Sequence, residues 1–482
     1  MFRATRREFL RAASLIAGTS IATSVMAACG ATPSPAAAAI TQPPSTPVQA
    51  AATPVPTSAA PATQVPATQA LPTETPVPVP TATAVPQAGQ VTIEWWVAEW
   101  NDPVRDWLQK DFVSGFEKDN PTIKVDPVFV DWGDYLTKLT TAFAGGTAPD
   151  LSAGGSSMVA TVATKNQGTA INDLIEEWGQ LDDFHPMAQA VIQYKGKIYG
   201  LPTDIGVESL VWRKDLFEKA NLDPEKGPAD WVQLQDYAVK LTERDGDAFK
   251  VAGFYMPMAG YATWHAWVAF LWQAGGDILN EDRTKVIINE QPGVDALQFY
   301  VDLMTKDKVS PLSATEQAGP PVFTTGMVAM MIGDQGTLAS VKEFAPDLYS
   351  KVGVLTPPLK KVRSAAVVFP DWVFVTSQTK HVREAFQVLT TFAAPENNVK
   401  FNELYSTFPT RKSATAKATY ISDDPLLAAS GKNIDYGLPW PQVPAFSKIR
   451  EELTPAIQQA VTGQKTPKQA LDDFANEIQP LL

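Results

Sequence analysis

Apolar residues recur along this chain with two alternating periods. In Val91-Thr92-Ile93-Glu94-Trp95-Trp96-Val97 they alternate with polar ones, which predicts a half-buried strand. Over 104–117, Val104, Trp107, Leu108, Phe112 and Phe116 recur at three- and four-residue steps, which predicts an amphipathic helix. A second strand is expected over 123–130 and a second helix over 132–144. The alternation resumes after residue 200. Ser209-Leu210-Val211-Trp212 is strand-like, and 231–242 is helical behind the turn Gly227-Pro228-Ala229-Asp230. The segment 446–482 reads as two helices broken near Gly463 and Pro467. Strand–helix alternation implies βαβ units, a mostly parallel sheet and an α/β fold. The stretch after residue 90 is too long for one core and suits two lobes.

Residues 1–89 lack either period. Arg3, Arg6, Arg7 and Arg11 form a positive head, an apolar stretch follows, and Met26-Ala27-Ala28-Cys29-Gly30 closes it, which is the layout of an export signal. Thr5-Arg6-Arg7-Glu8-Phe9-Leu10-Arg11 resembles the twin-arginine (Tat) export motif. The small-small-Cys ending resembles a lipobox, with Met26 where leucine is usual, so Cys29 is expected to carry lipid at the cleavage point. It is the only cysteine in the chain, so no intramolecular disulfide can form. Residues 30–89 are almost all Pro, Thr, Ala, Val, Gln and Ser, with Glu74 the only charge and no aromatic residue. Such a segment cannot bury enough surface to offset the entropy of ordering it, and it is expected to be a disordered, extended stalk.

The net charge of −13 argues against nucleic acid and anionic lipid heads as partners. No apolar run long enough to span a bilayer follows the signal. The three histidines, His185, His265 and His381, have no metal-ligand spacing. Gly154-Gly155-Ser156-Ser157-Met158 lacks the closing glycine of a nucleophile elbow. Asp277, Asn280, Glu281 and Asp282 read as a turn, not as a calcium loop. No cofactor, metal or catalytic residue is expected. The unusual feature is thirteen tryptophans, several outside any core stripe.

Four stretches resemble family 1 extracellular solute-binding proteins, the carbohydrate receptors of bacterial ABC importers related to maltose-binding protein. The first runs from Leu139-Thr140-Thr141 through Gly145-Gly146-Thr147-Ala148-Pro149-Asp150. The second comprises Tyr194-Lys195-Gly196-Lys197-Ile198-Tyr199-Gly200-Leu201-Pro202 and Trp212-Arg213-Lys214-Asp215-Leu216-Phe217. The third is Gly275-Gly276-Asp277-Ile278-Leu279-Asn280, continuing into the helix around Phe299. The fourth is Gly326-Met327-Val328-Ala329-Met330-Met331-Ile332-Gly333-Asp334.

This resemblance implies a two-lobed, periplasmic-binding-protein-like fold of type II kind, with a ligand cleft between the lobes. Lobe 1 would comprise 90–205 plus 371–417, and lobe 2 would comprise 206–370 plus 418–482. It also implies a carbohydrate ligand, ABC permease subunits as partners, a lipid anchor on the outer face of the membrane, and a monomer. Aromatic rings would cover the C–H faces of the sugar, and carboxylates would accept from its hydroxyls. The expected aromatic walls are Trp96, Trp100, Trp132, Trp264, Trp372 and Trp440. Glu99, Asp204, Asp334 and Asp371 are the expected acceptors, with Asp150, Ser156, His265 and Gln335 beside them. Trp107 and Trp231 are expected in the core. Arg411 could brace a turn or touch sugar. Two departures from the family pattern stand out. Phe369-Pro370-Asp371-Trp372 occupies the place of a frequent Gly-Gly pair, and Gly333-Asp334-Gln335 lacks the family's tryptophan, whose face Trp372 would supply. Two other functions remain open: a secreted carbohydrate-active enzyme with paired carboxylates, and a receptor for a non-sugar solute such as a peptide or polyamine.

Overall fold

A computed structural model describes residues 89–98, 101–313, 322–438 and 440–482. The expected signal, Cys29, the stalk up to residue 88, Glu99 and Trp100 lie outside the described residues.

The predicted elements of the first segment form where the periodicity placed them. Strands β1 (Val91–Ala98) and β2 (Ile123–Val130) pair in parallel, with Val91 opposite Ile123. Ile93, Trp95 and Val97 turn inward from β1. Trp95 is fully buried, edge-on to Phe392 at 5.0 Å and to Phe112 at 6.3 Å. Helix α1 (Trp132–Gly145) connects β2 to β3 (Leu151–Gly154), which also runs parallel to β1. Buried Tyr135 on α1 ties these strands together, because its hydroxyl donates to the Trp96 carbonyl at 3.0 Å and accepts from the Ala153 amide at 2.9 Å.

Two long strands then link the halves of the molecule. They are β4 (Gly200–Val207) and β8 (Ala366–Val375). They pair antiparallel, and β8 also pairs antiparallel with β3. The main sheet is therefore mixed, not mostly parallel as the strand–helix alternation suggested. Only β1 with β2, β1 with β3, and a short contact of β8 with Gly437–Leu438 are parallel. The reason is topological. A strand that returns between lobes comes back against the one that left.

Beyond β4, strand β5 (Ser209–Arg213) lies between β6 (Met330–Gly333) and β7 (Val352–Val354), antiparallel to both. Helix α2 (Gly260–Gln273) is apolar almost all round, as a fully covered helix must be. Trp267 and Trp272 on it are completely buried. Helix α3 (Gln335–Phe344) follows β6. The last segment forms the two helices expected, α4 (Phe446–Val461) and α5 (Pro467–Ile478). Thr466 and Gln469 make a reciprocal cap at the start of α5.

Two separate large cores result, the signature of a two-lobed α/β fold. One gathers Trp95, Trp107, Phe112, Phe184, Phe374 and Phe392. The other gathers Trp212, Trp231, Trp267, Phe270, Trp272 and Tyr300. Trp107 and Trp231 belong to these cores, as their helix positions predicted.

Candidate functional site

The linking strands set the site. Successive residues of a strand point to opposite faces. Ile205 and Val207 of β4 pack with Ala366 and Val368 of β8 and with Phe408 on one face. Asp204, Gly206 and Glu208 consequently share the other, together with Phe369 and Asp371 opposite them. Gly206 is needed there, because a Cβ would fall 2.0 Å from the Phe369 ring that lies across it.

Asp204 and Asp371 are register partners. Asp204 is buried and accepts from the Thr203 hydroxyl at 2.8 Å. Asp371 accepts from the backbone amide of Ser156. Burial raises the carboxyl of Asp204 to about 7. Burial, and then the Asp204 charge, raises Asp371 well above the carboxylate range. Two carboxyls so close do not both ionise readily, and the pair holds a proton near neutrality.

Around this strand face the second lobe supplies rings. The rings of Trp264 and His265 on α2 lie 4.9 Å and 5.2 Å from Trp440, and His265 is 5.7 Å from Phe369. His265 Nδ1 lies 2.7 Å from Glu208 Oε1, while Glu208 Oε2 is buried without a hydrogen-bond partner. Asp334 caps α3 by accepting from the Thr337 amide at 3.0 Å. Its carboxyl is raised by burial and by the charge of Glu208. Gln335 accepts from the Val207 amide at 3.1 Å, so it fixes the end of β4. The Arg450 guanidinium lies 5.9 Å over Trp264 and feels the charge of Asp371; burial lowers its pKa.

A cavity of about 370 Å³ meets these groups at Trp264 and Arg450. It is lined by Leu136 of α1, by Gly260 and Trp264 of α2, and by Arg450, Glu451 and Thr454 of α4, so both lobes contribute. The lobes also touch directly, with Gln442 Nε2 donating to the Ser156 carbonyl at 2.6 Å.

Of the residues expected from sequence, the structure brings Ser156, Asp204, Trp264, His265, Asp334, Gln335, Asp371 and Trp440 into this one neighbourhood. Trp440 stands behind Trp264, only 2% exposed. Trp372, Trp96, Trp132 and Asp150 make other contacts. Trp372 is 1% exposed in the first lobe's core, where its Nε1 donates to the Gly155 carbonyl at 2.9 Å. It cannot replace a stacking face at Gln335. Its large ring fills the space over Gly154, where a Cβ would meet it at 2.6 Å. Trp96 is half-buried in a separate groove with Thr137, Thr141 and Thr147, its Nε1 donating to Glu94 Oε1 at 2.6 Å. Trp132 packs on Tyr135 at 5.0 Å. Asp150 braces its turn, with Oδ2 accepting from the Glu94 amide at 2.9 Å and Oδ1 from Thr379. Arg411 is likewise a brace, tied to Asp183 at 2.7 Å and to Gln180.

The sequence reading missed Glu208, Phe369, Gln442 and Arg450. Glu208 had a usable signal. It lies four residues after Asp204, which on a strand is the same face. Among the described residues no group of His, Cys, Asp and Glu could hold a metal ion.

A profile of bacterial extracellular solute-binding proteins matches residues 101–399. A binding protein of Brucella abortus (strain 2308) is 26% identical over 402 residues, covering 82% of this chain and 94% of the relative. The sn-glycerol-3-phosphate-binding periplasmic protein UgpB of Escherichia coli (strain K12) is 25% identical over 395 residues, covering 76% and 87%. Among solved structures, an ABC transporter solute-binding protein from Thermotoga lettingae bound with α-D-tagatose superimposes with a TM-score of 0.72 at 24% identity, over 81% of this chain and 100% of that one.

Proposed function

The chain belongs to the bacterial extracellular solute-binding proteins, the receptors of ABC transporters, and we propose that its solute is a carbohydrate held between the two lobes. The family binds solutes and is not one of enzymes, so the paired carboxylates serve recognition.

The observation that supports the sugar reading is a cluster of aromatic rings and carboxyls that meets the interlobe cavity at Trp264 and Arg450. Aromatic rings (Trp264, Trp440, Phe369, His265) adjoin hydrogen-bonding carboxyls (Asp204, Glu208, Asp371) on one face. A sugar ring presents apolar C–H faces and a belt of hydroxyls, and this pairing meets both. The cavity lies at the small end of the usual range for ligand sites, roughly 300–1,000 Å³. It suits a mono- or disaccharide unit. The tagatose-bound neighbour has a comparable fold and a small sugar.

In this reading lobe 1 comprises 90–205 plus 371–417, and lobe 2 comprises 206–370 plus 418–482. The β4–β8 ribbon is the hinge. Closure around sugar presents a shape that the permease accepts, a ligand-biased hinge transition. The chain acts as a monomer. Tat export and a lipid on Cys29 hold it on the outer face of the membrane, with residues 30–89 as the tether.

The test is a thermal-shift and calorimetric screen against neutral mono- and oligosaccharides, peptides and polyamines. A saccharide should raise the melting temperature in a concentration-dependent way. Stabilisation by a peptide or polyamine alone would replace this reading.

A further inference from the structure

Helix α4 turns one face to the interlobe cavity. Ser447, Arg450, Glu451, Thr454 and Gln458 line the cavity, while Ile449, Leu453 and Ile457 between them are buried in the second lobe's core. Trp264 of α2 borders the same cavity. Two donors on this lining are spent within the protein. The Thr454 hydroxyl donates to the Gly260 carbonyl at 3.1 Å, and Gln458 Nε2 donates to the Met258 carbonyl at 2.6 Å. That leaves Arg450, whose guanidinium carries more N–H groups than any other side chain, as the largest donor.

Arg450 differs from Arg213 and Arg411, which are buried elsewhere. Arg213 places two nitrogens on Asp215 at 2.8 and 2.7 Å, and Arg411 places its nitrogens on Asp183, Gln180 and the Ala393 carbonyl. Among the described residues the Arg450 guanidinium makes no hydrogen bond and no ion pair. Burial pushes its pKa down, and Asp371 and Glu451 act on it through charge alone. A donor fork that is stripped of water and unused by the protein gains most from a ligand that brings acceptors to it. The Trp264 ring lies 5.9 Å from the guanidinium, so a pair of ligand oxygens and an apolar C–H face can be met side by side.

We infer that Arg450 orients the ligand: its guanidinium fork donates to two neighbouring oxygens of the saccharide, either vicinal hydroxyls or a uronate carboxylate, beside the Trp264 ring. The inference rests on the carbohydrate reading above and adds to it the residue that sets how the sugar lies in the cavity. Parallel N–H groups in one plane select a pair of acceptor oxygens by geometry, which the single ammonium of a lysine does not reproduce.

Isothermal titration calorimetry of the purified protein tests it, with glucose, tagatose, maltose and glucuronate against wild type, Arg450→Met and Arg450→Lys. Each of these that binds wild type should bind Arg450→Met at least tenfold more weakly. Arg450→Lys should recover less than threefold of that loss, because it restores the charge without the fork. A larger loss for glucuronate than for the neutral sugars assigns the fork to a carboxylate, and an equal or smaller loss assigns it to vicinal hydroxyls. Circular dichroism confirms the fold of both variants. Wild-type protein allows a second measurement that needs no variant, phenylglyoxal modification of arginine mapped by mass spectrometry. Saturating sugar should slow the modification of Arg450 several-fold and leave the exposed Arg383 unchanged. Unaltered affinity in Arg450→Met, full recovery in Arg450→Lys, or an Arg450 equally reactive with and without sugar overturns the inference and leaves the carbohydrate reading standing. Wild-type protein that binds none of the four overturns both.

Discussion

Asp204 and Asp371 stand directly opposite one another on the two antiparallel strands that link the lobes. Their carboxyls share a buried face, and both are raised above the ordinary carboxylate range. The folded chain therefore holds a proton that the unfolded chain gives up once the pH passes about 4. The stability this contributes is fully present below that point and is lost as pH rises through about 7, the value to which Asp204 is raised. Asp204→Asn removes one of the two competing charges and keeps an acceptor for Thr203. It should melt several degrees higher than wild type at pH 8, and the difference should fade toward pH 4. Scanning fluorimetry across that window checks it, and a variant that melts lower at pH 8 contradicts it.

Trp264 borders the interlobe cavity, whereas Trp96 lies in a groove of its own. Trp264→Leu keeps an apolar filler but removes the flat face. Sugar affinity should fall at least tenfold, about 1.4 kcal/mol. Trp96→Ala should change it less than twofold. Equal losses in the two variants, measured calorimetrically, would place the ligand elsewhere.

Gln442 and Ser156 join the lobes through a single side-chain-to-carbonyl hydrogen bond. Gln442→Ala removes the donor without touching the linking strands. A net loss of about 1 kcal/mol is expected for such a bond. It should appear as a several-fold faster release of sugar in stopped-flow tryptophan fluorescence, with the on-rate little changed.

Gly206 lets the Phe369 ring cross the linking strand. In Gly206→Ala the new methyl must displace that ring, which also faces His265. Overpacking of this kind costs roughly 1–3 kcal/mol. Urea unfolding should show the loss as a lower midpoint with an unchanged slope.

Cys29→Ala should move the protein from the membrane fraction to the soluble one, or leave it unprocessed, because stable anchoring needs more than one acyl chain. Wild-type protein recovered wholly soluble would remove the lipid anchor from the account. Replacing Arg6 and Arg7 by Lys should stall export if the twin-arginine route is used.

Much of the fold was legible because it is local. Alternation in Ile93, Trp95 and Val97 needs no partner to be read, and β1, β2, α1, α4 and α5 form where the period put them. The pairing of β8 with β3 and β4 is another matter. It joins segments far apart in the chain, and nothing in their own pattern states which neighbour they take or in which direction. That is why a mostly parallel sheet was expected and a mixed one formed.

The sequence by itself determined the two periodicities, their absence before residue 90, the acidic charge and the order of motifs that mark the family. Eight of the residues it named lie near one another around the linking strands. Only the tertiary structure decided which tryptophan borders the interlobe cavity and which fill a core. A tryptophan is equally suited to a core and to a sugar face, and its period reports only which side of its own element it occupies. What covers that side comes from elsewhere. Gly154 leaves room for Trp372 to sink into a core, and the strand opposite Asp204 brings it Asp371.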